Sequence, residues 1–222
     1  MLYGAAEFSR DIDLALQLEP ENLARLQQLL EELQAECIAV PPFELEVLER
    51  GHAVHFRCRH PDAPNVRIDL MSKMRGVEPF ARLWDRRTTY PGSDRIDYDL
   101  MGLPDLVAAK KTQRDKDWPM IRRLVEASYF SARSDHSPEV MTFWLRELRT
   151  PEILVELAMS QPDAAGELVP ERRLLQSAIA GDLTEVVRRL ANEEQIEREV
   201  DRQYWAPLKK ELEMLRRAER VP

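Results

Sequence analysis

Apolar and polar positions alternate along residues 8–18, FSRDIDLALQL. Asp11 and Asp13 fall on one side of this alternation. The other side is uniformly aliphatic, formed by Ile12, Leu14, Leu16 and Leu18. A period of two is typical of a β-strand with one buried face. The segment therefore predicts a strand that carries two carboxylates on its polar face.

The same alternation returns in residues 65–71, NVRIDLM, where Arg67 and Asp69 lie opposite the aliphatic positions. This predicts a second strand. Residues 43–60 predict one or two more strands, and residues 52–58 give the clearer pattern. Strands that each bury one face require a partner layer, so we expect helices to pack on the sheet.

Helical spacing begins after Pro20, a residue favoured at the first position of a helix. Residues 21–37 carry apolar side chains three and four positions apart, which predicts an amphipathic helix: Leu23, Leu26, Leu30, Leu33 and Cys37. Further along, we predict a helix around 79–86, a short strand at 96–98, and helices at 104–111, 115–127, 138–148, 151–160, 170–180 and 183–217. Asp182 with Glu185 resembles a capping box at the start of the last helix.

These elements predict an α+β fold, in which a small mixed β-sheet with flanking helices is followed by an all-helical C-terminal region. We place the change of character near residue 132, which gives domains at 1–131 and 132–222. The final helix is long and highly charged, with a sparse leucine stripe. It suits a homodimer contact or a protein partner as well as packing on the core.

Composition narrows the class of protein. Hydrophobic residues make up 44% of the chain, enough for a folded core. The formal net charge of −8 argues against a protein that coats nucleic acid. The chain has no apolar run of about 18 residues and its first residues do not resemble a signal peptide. With only two cysteines, we expect a cytoplasmic protein without membrane contact.

The three acids on the two strands are the main candidates for chemistry. Asp11, Asp13 and Asp69 would repel one another if gathered at one end of a sheet. This repulsion would destabilise the fold, so a purely structural role for the three acids is unfavourable. They suit one or two Mg²⁺ ions, which prefer oxygen ligands. The alternative is an ordinary solvated strand face, and an Asp-x-Asp pair alone does not decide between the two readings.

The flanking sequence resembles the nucleotidyltransferase superfamily with a polymerase-beta-like core, in its small bacterial form. Ser9 to Leu14 match the Ser-x-Asp-x-Asp strand of that family, and residues 66–70 match the strand of its third acid. Residues 103–121 resemble the family's helix–turn–helix segment, in which a lysine is followed by Arg-x-x-Asp. The three segments occur in the family's order and together cover about residues 1–125.

The resemblance implies a fold and a set of roles. Asp11 and Asp13 would bind the metal that holds a nucleoside triphosphate such as ATP, and Asp69 would join a second metal and help activate the acceptor hydroxyl. Phosphate contacts are implied for a second group of residues: Gly4, Ser9, Arg10, Lys110, Lys111 and Arg114. Asp117 is expected to hold Arg114 or Lys110 and not to bind metal.

The family's upstream Gly-rich turn, which grips phosphates with backbone amides, has no counterpart here, since Met1 lies only three residues before Gly4. We therefore expect either a true start upstream of Met1 or a degraded or regulatory relative. The first hypothesis is an Mg²⁺-dependent enzyme that transfers a nucleoside monophosphate from an NTP to a hydroxyl on RNA, protein or a small molecule.

Two alternatives stay open. The second hypothesis is a catalytically inactive interaction or regulatory protein, for example a toxin–antitoxin or defence component. The third is a metal-dependent nuclease, which would not depend on NTP.

Two other groups of side chains have a functional and an ordinary interpretation. A zinc site is conceivable in the segment around residues 52–60, although the spacing fits no standard pattern: His52, His55, Cys58 and His60. The ordinary interpretation puts Cys58 in the core and the histidines on a polar face near the acids. Arg82, Arg86 and Arg87 would either bind RNA or phosphate or form a solvated helix face.

Overall fold

A computed structural model describes the following residues of the chain: 3–4, 11–92, 95–132, 134 and 137–219. They fall into two compact units. The sheet unit takes its described residues from 8–105 and 203–222, and the helical unit takes them from 1–7 and 106–202. The predicted domain change near residue 132 stays a prediction; the compact units divide the chain between residues 105 and 106 and again after 202.

Four strands form the mixed sheet of the sheet unit: β1 (Asp11–Ala15), β2 (Glu36–Cys37), β3 (Val54–Arg57) and β4 (Arg67–Met71). Their order is β1-β4-β3-β2, with β1 parallel to β4 and the other neighbours antiparallel. The strands predicted at 8–18 and 65–71 are confirmed over Asp11–Ala15 and Arg67–Met71, as β1 and β4, and residues 16–18, 65 and 66 lie outside them. The mixed α+β class with a small sheet, flanking helices and a long C-terminal helical region is likewise confirmed.

The core of the sheet unit consists of the alternating aliphatic positions of the strands and the apolar stripe of the first helix. Its buried members are Leu16, Leu26, Leu30, Val47, Leu48, Val54, Phe56, Cys58, Ile68 and Leu70. Cys58 is fully buried, as expected. Because these residues occupy one face of β3 and β4, the side chains of intervening residues are directed to the opposite face.

The first helix is shorter than predicted. Helix α1 runs from Pro20 to Glu32, and the prediction of helix through residue 37 is wrong for its last residues. Gln34 has a left-handed backbone with φ of 48°, which ends the helical path. Cys37 then lies in β2 opposite Phe56, because pairing with β3 satisfies the backbone there.

The segment 43–60 contains a helix that the alternation did not reveal. Helix α2 (Leu45–Arg50) buries Val47 and Leu48 and ends at Gly51, whose φ is 101°. A helix of six residues gives less than two turns of spacing, so its pattern reads equally well as a strand. The predicted strand at residues 52–58 is confirmed as β3.

A further helix and two strands of the sheet unit fall within residues 80–100. Helix α3 (Phe80–Asp85) confirms the prediction at 79–86, and β6 (Asp97–Leu100) confirms the short strand. Its antiparallel partner β5 (Thr88–Pro91) was not predicted, because all four of its residues are exposed and carry no apolar alternation.

The helical unit follows the predicted order of helices: α4 (Leu103–Lys110), α5 (Asp117–Ser131), α6 (Pro138–Glu147), α7 (Pro151–Ser160), α8 (Pro162–Glu167), α9 (Leu175–Ile179) and α10 (Leu183–Glu219). Helix α8 was not predicted, and α9 covers only part of the predicted 170–180. Trp118 and Trp144 are buried in this unit. Helices α4 and α10 each contribute residues to both units.

Candidate active site

The three candidate acids lie on one face of two adjacent parallel strands. Asp13 of β1 is the register partner of Asp69 of β4, and Asp11 is the partner of Arg67. Paired residues of neighbouring strands direct their side chains to the same face, with strands about 4.8 Å apart. The acids are therefore neighbours on the face opposite the core, where Asp11 and Asp13 are exposed and Asp69 is mostly covered.

Two basic side chains hold Asp69. The Nε of Arg67 donates a hydrogen bond to Oδ1 of Asp69 at 2.7 Å. Nδ1 of His55, the register partner of Asp69 on β3, lies 2.9 Å from the same oxygen. Nη2 of Arg67 also lies 3.1 Å from Nδ1 of His55, so the histidine tautomer decides which of these contacts is a hydrogen bond. Both contacts of Asp69 fall on Oδ1.

The electrostatic balance of this face centres on Arg67. Its hydrogen bond with Asp69 raises the pKa of the guanidinium, and the nearby charges of Asp69, Asp11 and Asp13 raise it further against the lowering effect of burial. The three carboxylates thus act together on one cation. Asp69, Asp11 and Asp13 thus all favour the charged form of Arg67.

The described residues contain no group of three or more His, Cys, Asp or Glu side chains that could hold a metal ion as they stand. The donor chemistry does fit magnesium, which takes carboxylate oxygens. What the acids lack is convergence, since Oδ1 of Asp69 is engaged by Arg67 and His55. Asp13 and Asp69 are register partners, and Asp69 is bound by Arg67 and His55.

The remaining predicted site residues lie in the helical unit or outside the described residues. Ser9 and Arg10 belong to the latter. Gly4 has a left-handed backbone with φ of 78°, and a Cβ added there would lie 3.3 Å from Cβ of Ala127. Glycine at this position therefore has a local structural reason.

The basic residues of the predicted phosphate group have acidic partners of their own. Nζ of Lys111 lies 2.8 Å from a carboxylate oxygen of Glu147, and both side chains are largely buried. Nε of Arg114 donates to Asp117 at 2.8 Å, which confirms that Asp117 holds Arg114. Lys110 ends α4. The phosphate-binding roles of these residues stay predictions.

The four residues of the zinc hypothesis have separate environments. His55 contacts Asp69, as expected of a histidine near the acids. His52 is instead fully buried, with Nε2 at 2.8 Å from Glu211, so its expected place on the polar face is wrong. Nδ1 of His60 accepts a hydrogen bond from the backbone of Asp62. Among the described residues these side chains do not form a metal site.

Each arginine of the cluster around α3 is matched by a carboxylate. Arg86 donates to both oxygens of Asp105, at 3.1 and 2.8 Å, and to Glu78. Arg87 donates to Asp99 at 2.9 Å, and Arg82 lies 3.7 Å from Asp85. A cluster neutralised in this way offers little net attraction to a phosphate backbone. The ordinary interpretation of the cluster is the better supported one.

A concavity of about 510 Å³ lies in the sheet unit just beyond the end of β1. The polar part of its lining comes from Gln17, Asn22, Arg25 and Asp85, and the aromatic part from Phe80 and Trp84. The two rings stack with centroids 5.9 Å apart, and Trp84 is 45% exposed. Such an aromatic surface beside amide groups is chemically suited to a planar heterocycle.

The acid face is the face of the sheet that carries Asp11, Asp13 and Asp69. The sequence interpretation gave no role in nucleotidyl transfer to two further residues on this face, Arg67 and His55. Arg67 has the same parity as Asp69, so its place on this face was predictable, but its direct bond to Asp69 was not. His55 reaches Asp69 through the β3–β4 register, which a single sequence does not specify.

Comparison of the chain with protein-family models, with curated protein sequences and with solved structures found no match. In the part of the chain that the structure describes, no helix combines the length and apolar character needed to cross a membrane. The resemblance to nucleotidyltransferases therefore rests on the sequence motifs alone.

Proposed function

We propose that the protein is a Mg²⁺-dependent nucleotidyltransferase that moves a nucleoside monophosphate from an NTP to a hydroxyl acceptor. The observation that carries the proposal is the register of Asp13 with Asp69 on adjacent parallel strands, with Asp11 two residues earlier on the same face. Two motif segments some 55 residues apart in sequence thus meet at adjacent positions of one sheet.

The acid face supports this chemistry better than a structural role. Carboxylates gathered on one face repel one another, and this repulsion raises the free energy of the folded state. One or two magnesium ions bound there would stabilise the charge on the attacking and leaving oxygens of the transferred phosphoryl group. Asp11, Asp13 and Asp69 would supply the oxygen ligands, and Oδ2 of Asp69 is the oxygen not engaged by Arg67 or His55.

The resemblance further implies phosphate contacts for six residues: Lys110, Lys111, Arg114, Ser9, Arg10 and Gly4. Lys111 and Arg114 would first have to leave Glu147 and Asp117. The aromatic concavity beside Gln17 would take the nucleoside, because aromatic and amide groups together suit a nucleobase. The guanidinium of Arg87 lies 4.1 Å from the centroid of the Trp84 ring, so a base on that face would have to displace it. The acceptor is RNA, protein or a small molecule, and a cytoplasmic location fits the supply of NTP.

A second function is favoured by one specific observation, the engagement of Asp69 by Arg67 together with the lack of a converged acid cluster among the described residues. On this view the core is catalytically inactive and the protein acts through a partner, as a toxin–antitoxin or defence component would. Helix α10 carries exposed apolar side chains suited to such a contact: Leu183, Val187, Ile196, Val200 and Met214.

A transfer assay separates these functions. The purified protein is incubated with Mg²⁺, each of the four NTPs labelled at the α-phosphate, and total RNA or whole-cell extract. Pyrophosphate release is measured in parallel as a readout that does not depend on the acceptor's identity. We expect α-label in an acceptor with at least one NTP, and no transfer of γ-label.

The controls discriminate the alternatives. Chelation of Mg²⁺ by EDTA should abolish both label transfer and pyrophosphate release. Absence of both signals with all four NTPs would favour the inactive interaction protein. RNA breakdown that needs Mg²⁺ but no NTP would favour a nuclease.

A further inference from the structure

We infer that a cavity in the helical unit is a binding site for a phosphate group, held by Arg149 in the cavity wall and by Arg122 at the exposed rim. The cavity has a volume of about 250 Å³, and the residues that line it all belong to the helical unit. The inference does not rest on the proposed function, because it uses neither the acid face nor a metal ion.

Arg149 is a buried arginine with unpaired donors. It lies in the link between α6 and α7 and is only 9% exposed. Its Nη1 donates to Glu193 at 3.3 Å, and within the described residues this is the one hydrogen bond of the side chain. Nε has no partner there, although it is shut off from water. Buried donors are normally paired, so an unpaired guanidinium edge in a cavity wall points to a ligand.

The unpaired edge has the geometry that oxyanions require. Nε and Nη2 lie side by side on one edge of the planar guanidinium, the fork with which arginine binds two oxygens of one phosphate. Arg149 is among the residues that line the cavity. Because Nε is shut off from water, a phosphate oxygen in the cavity would meet Nη2 first and reach Nε after a small rotation of the side chain.

Trp118 holds this guanidinium in place. The central carbon of the Arg149 guanidinium lies 5.1 Å from the centroid of the indole ring, within the range of a cation–π contact. The indole is itself fixed, because its Nε1 donates to the carbonyl oxygen of Thr112 at 2.8 Å. A cation that is held in advance loses less conformational entropy when it binds a ligand.

The surroundings of Arg149 would be stabilised by an anion. Burial lowers the pKa of its guanidinium, and the charge of Arg172 lowers it further, against the raising effect of Glu193, Glu147 and Glu197. The nearest of these acids is also shared, since Arg172 donates to Glu193 at 3.0 Å. A negative charge in the cavity would therefore offset part of the cost of burying this cation.

The other charged residues of the cavity leave one further cation for the ligand. Asp115 and Glu194 line the cavity, but Arg198 donates to both carboxylates at 2.7 Å. Arg122 of α5 also lines it, is exposed, and makes no hydrogen bond or ion pair with a residue that the structure describes. Two guanidinium groups, those of Arg122 and Arg149, can therefore bind the same anion.

Charge and size favour the phosphate of a small molecule. A phosphate monoester carries a charge of about −1.5 to −2 at neutral pH, which two guanidinium groups match better than they match the single charge of a carboxylate. The cavity is smaller than the roughly 300–1,000 Å³ of sites for drug-sized ligands. It therefore fits a small phosphorylated compound better than a nucleotide.

The test is equilibrium dialysis of the full-length protein against radiolabelled inorganic phosphate, at constant ionic strength and in EDTA so that no metal takes part. We expect saturable binding by wild type and binding about fivefold weaker in Arg122→Gln, the equivalent of one exposed ion pair. Arg149→Gln should bind at least about tenfold more weakly, because it removes a buried charged donor. Arg149→Lys keeps the charge without the fork, should also bind more weakly, and serves where the glutamine variant folds poorly.

Arg123→Gln is the matched control. Arg123 is the next residue of α5, is exposed like Arg122, and is not part of the cavity lining. A general effect of net charge would change both variants alike, whereas a contact with the bound phosphate changes Arg122→Gln alone. Excess acetate is the control for the ligand, and it should displace little of the bound phosphate. Circular dichroism checks the fold of each variant.

Weaker binding in the Arg122 and Arg149 variants, with Arg123→Gln near wild type, supports the inference. Equal weakening in Arg122→Gln and Arg123→Gln overturns it, as does undiminished binding in a folded Arg149 variant. Absence of saturable binding by wild type, or displacement by acetate as effective as by unlabelled phosphate, overturns it too. None of these results alters the case for nucleotidyl transfer, which the assay with labelled NTP decides separately.

Discussion

At the scale of single residues, the contribution of an ion pair to stability depends on how far its charged groups are exposed to water. Arg172 is 7% exposed and donates to the carbonyl oxygens of Leu145 and Leu148, at 2.8 and 3.0 Å, and to Glu193. Arg146 makes a two-pronged pair with Glu171 but keeps 47% of its side chain exposed. The first pair is part of the helical unit's interior, and the second is solvated.

We expect Arg172→Ala to lower the free energy of unfolding by about 2–5 kcal/mol, because it leaves two buried carbonyl groups without their donor and removes one of the two arginines that bind Glu193. Arg146→Ala should cost less than about 1 kcal/mol, the usual range of an exposed pair. Chemical denaturation of both variants measures the difference. Equal costs would show that burial of Arg172 does not matter to its contribution.

The pair between Glu211 and His52 makes stability depend on pH. The hydrogen bond with His52 lowers the pKa of Glu211, with further help from the charges of His52 and Arg50. A carboxyl with a depressed folded pKa contributes stability above its unfolded pKa, about 4.3, and loses that contribution as pH falls through the folded value.

We therefore expect Glu211→Gln to be less stable than wild type at pH 7, and the gap to close as the pH falls below about 4.3. Free energies of unfolding measured from pH 7 to pH 2 follow the gap. A gap of constant size across that range would contradict the assigned cause. Asp62→Asn, which changes an exposed carboxyl elsewhere in the sheet unit, is the matched control.

At the scale of elements, β1 and β4 show which features of the acid face the local sequence pattern predicts and which it does not. The parity of residues in β1 and β4 follows from their alternation, so the side of the sheet that receives Asp11, Asp13 and Asp69 was predictable. The parallel pairing that puts Asp13 beside Asp69 is a long-range choice of register. The bond between Arg67 and Asp69 depends in addition on side-chain rotamers, which no pattern encodes.

Each element that the sequence analysis missed or misplaced has its own physical reason. Helix α2 is too short for a period of 3.6 to be distinguished from a period of two. Strand β5 is exposed along its length, so it has no apolar side to reveal it. Helix α1 ends early at the left-handed Gln34, a conformation that non-glycine residues adopt only where the tertiary structure stabilises it.

At the start of helix α10, one of the two hydrogen bonds of the predicted capping box is present. Oδ1 of Asp182 accepts a hydrogen bond from the backbone N–H of Glu185 at 3.0 Å, as a capping box requires. The Glu185 carboxylate binds Arg188 and Arg189 instead of returning to the cap. These hydrogen bonds lower the pKa of Glu185 to about 2.

We expect Asp182→Ala to lower the free energy of unfolding by about 0.5–2 kcal/mol, the usual cost of losing an N-terminal cap. Asp182→Ser retains a capping oxygen and should stay close to wild type. Chemical denaturation followed by far-UV circular dichroism compares the two. A serine variant as unstable as the alanine variant would contradict the capping role.

At the scale of the whole molecule, the proposed chemistry depends on one face of the sheet unit. The net charge of −8 does not favour a broad nucleic-acid surface, and the arginines around α3 are matched by acids. The three acids of β1 and β4 remain the strongest concentration of candidate chemistry. Motif, strand parity and register agree on them.

The central claim is that these acids act together in nucleotidyl transfer, and Asp13→Asn tests it most directly. The substitution keeps the size of the side chain and removes one ligand charge. Transfer of α-label from NTP should fall by at least about 100-fold, since changes one shell further from a metal already cost about 10–100-fold. Asp62→Asn should transfer like wild type. Wild-type transfer by a folded Asp13→Asn protein would contradict the account.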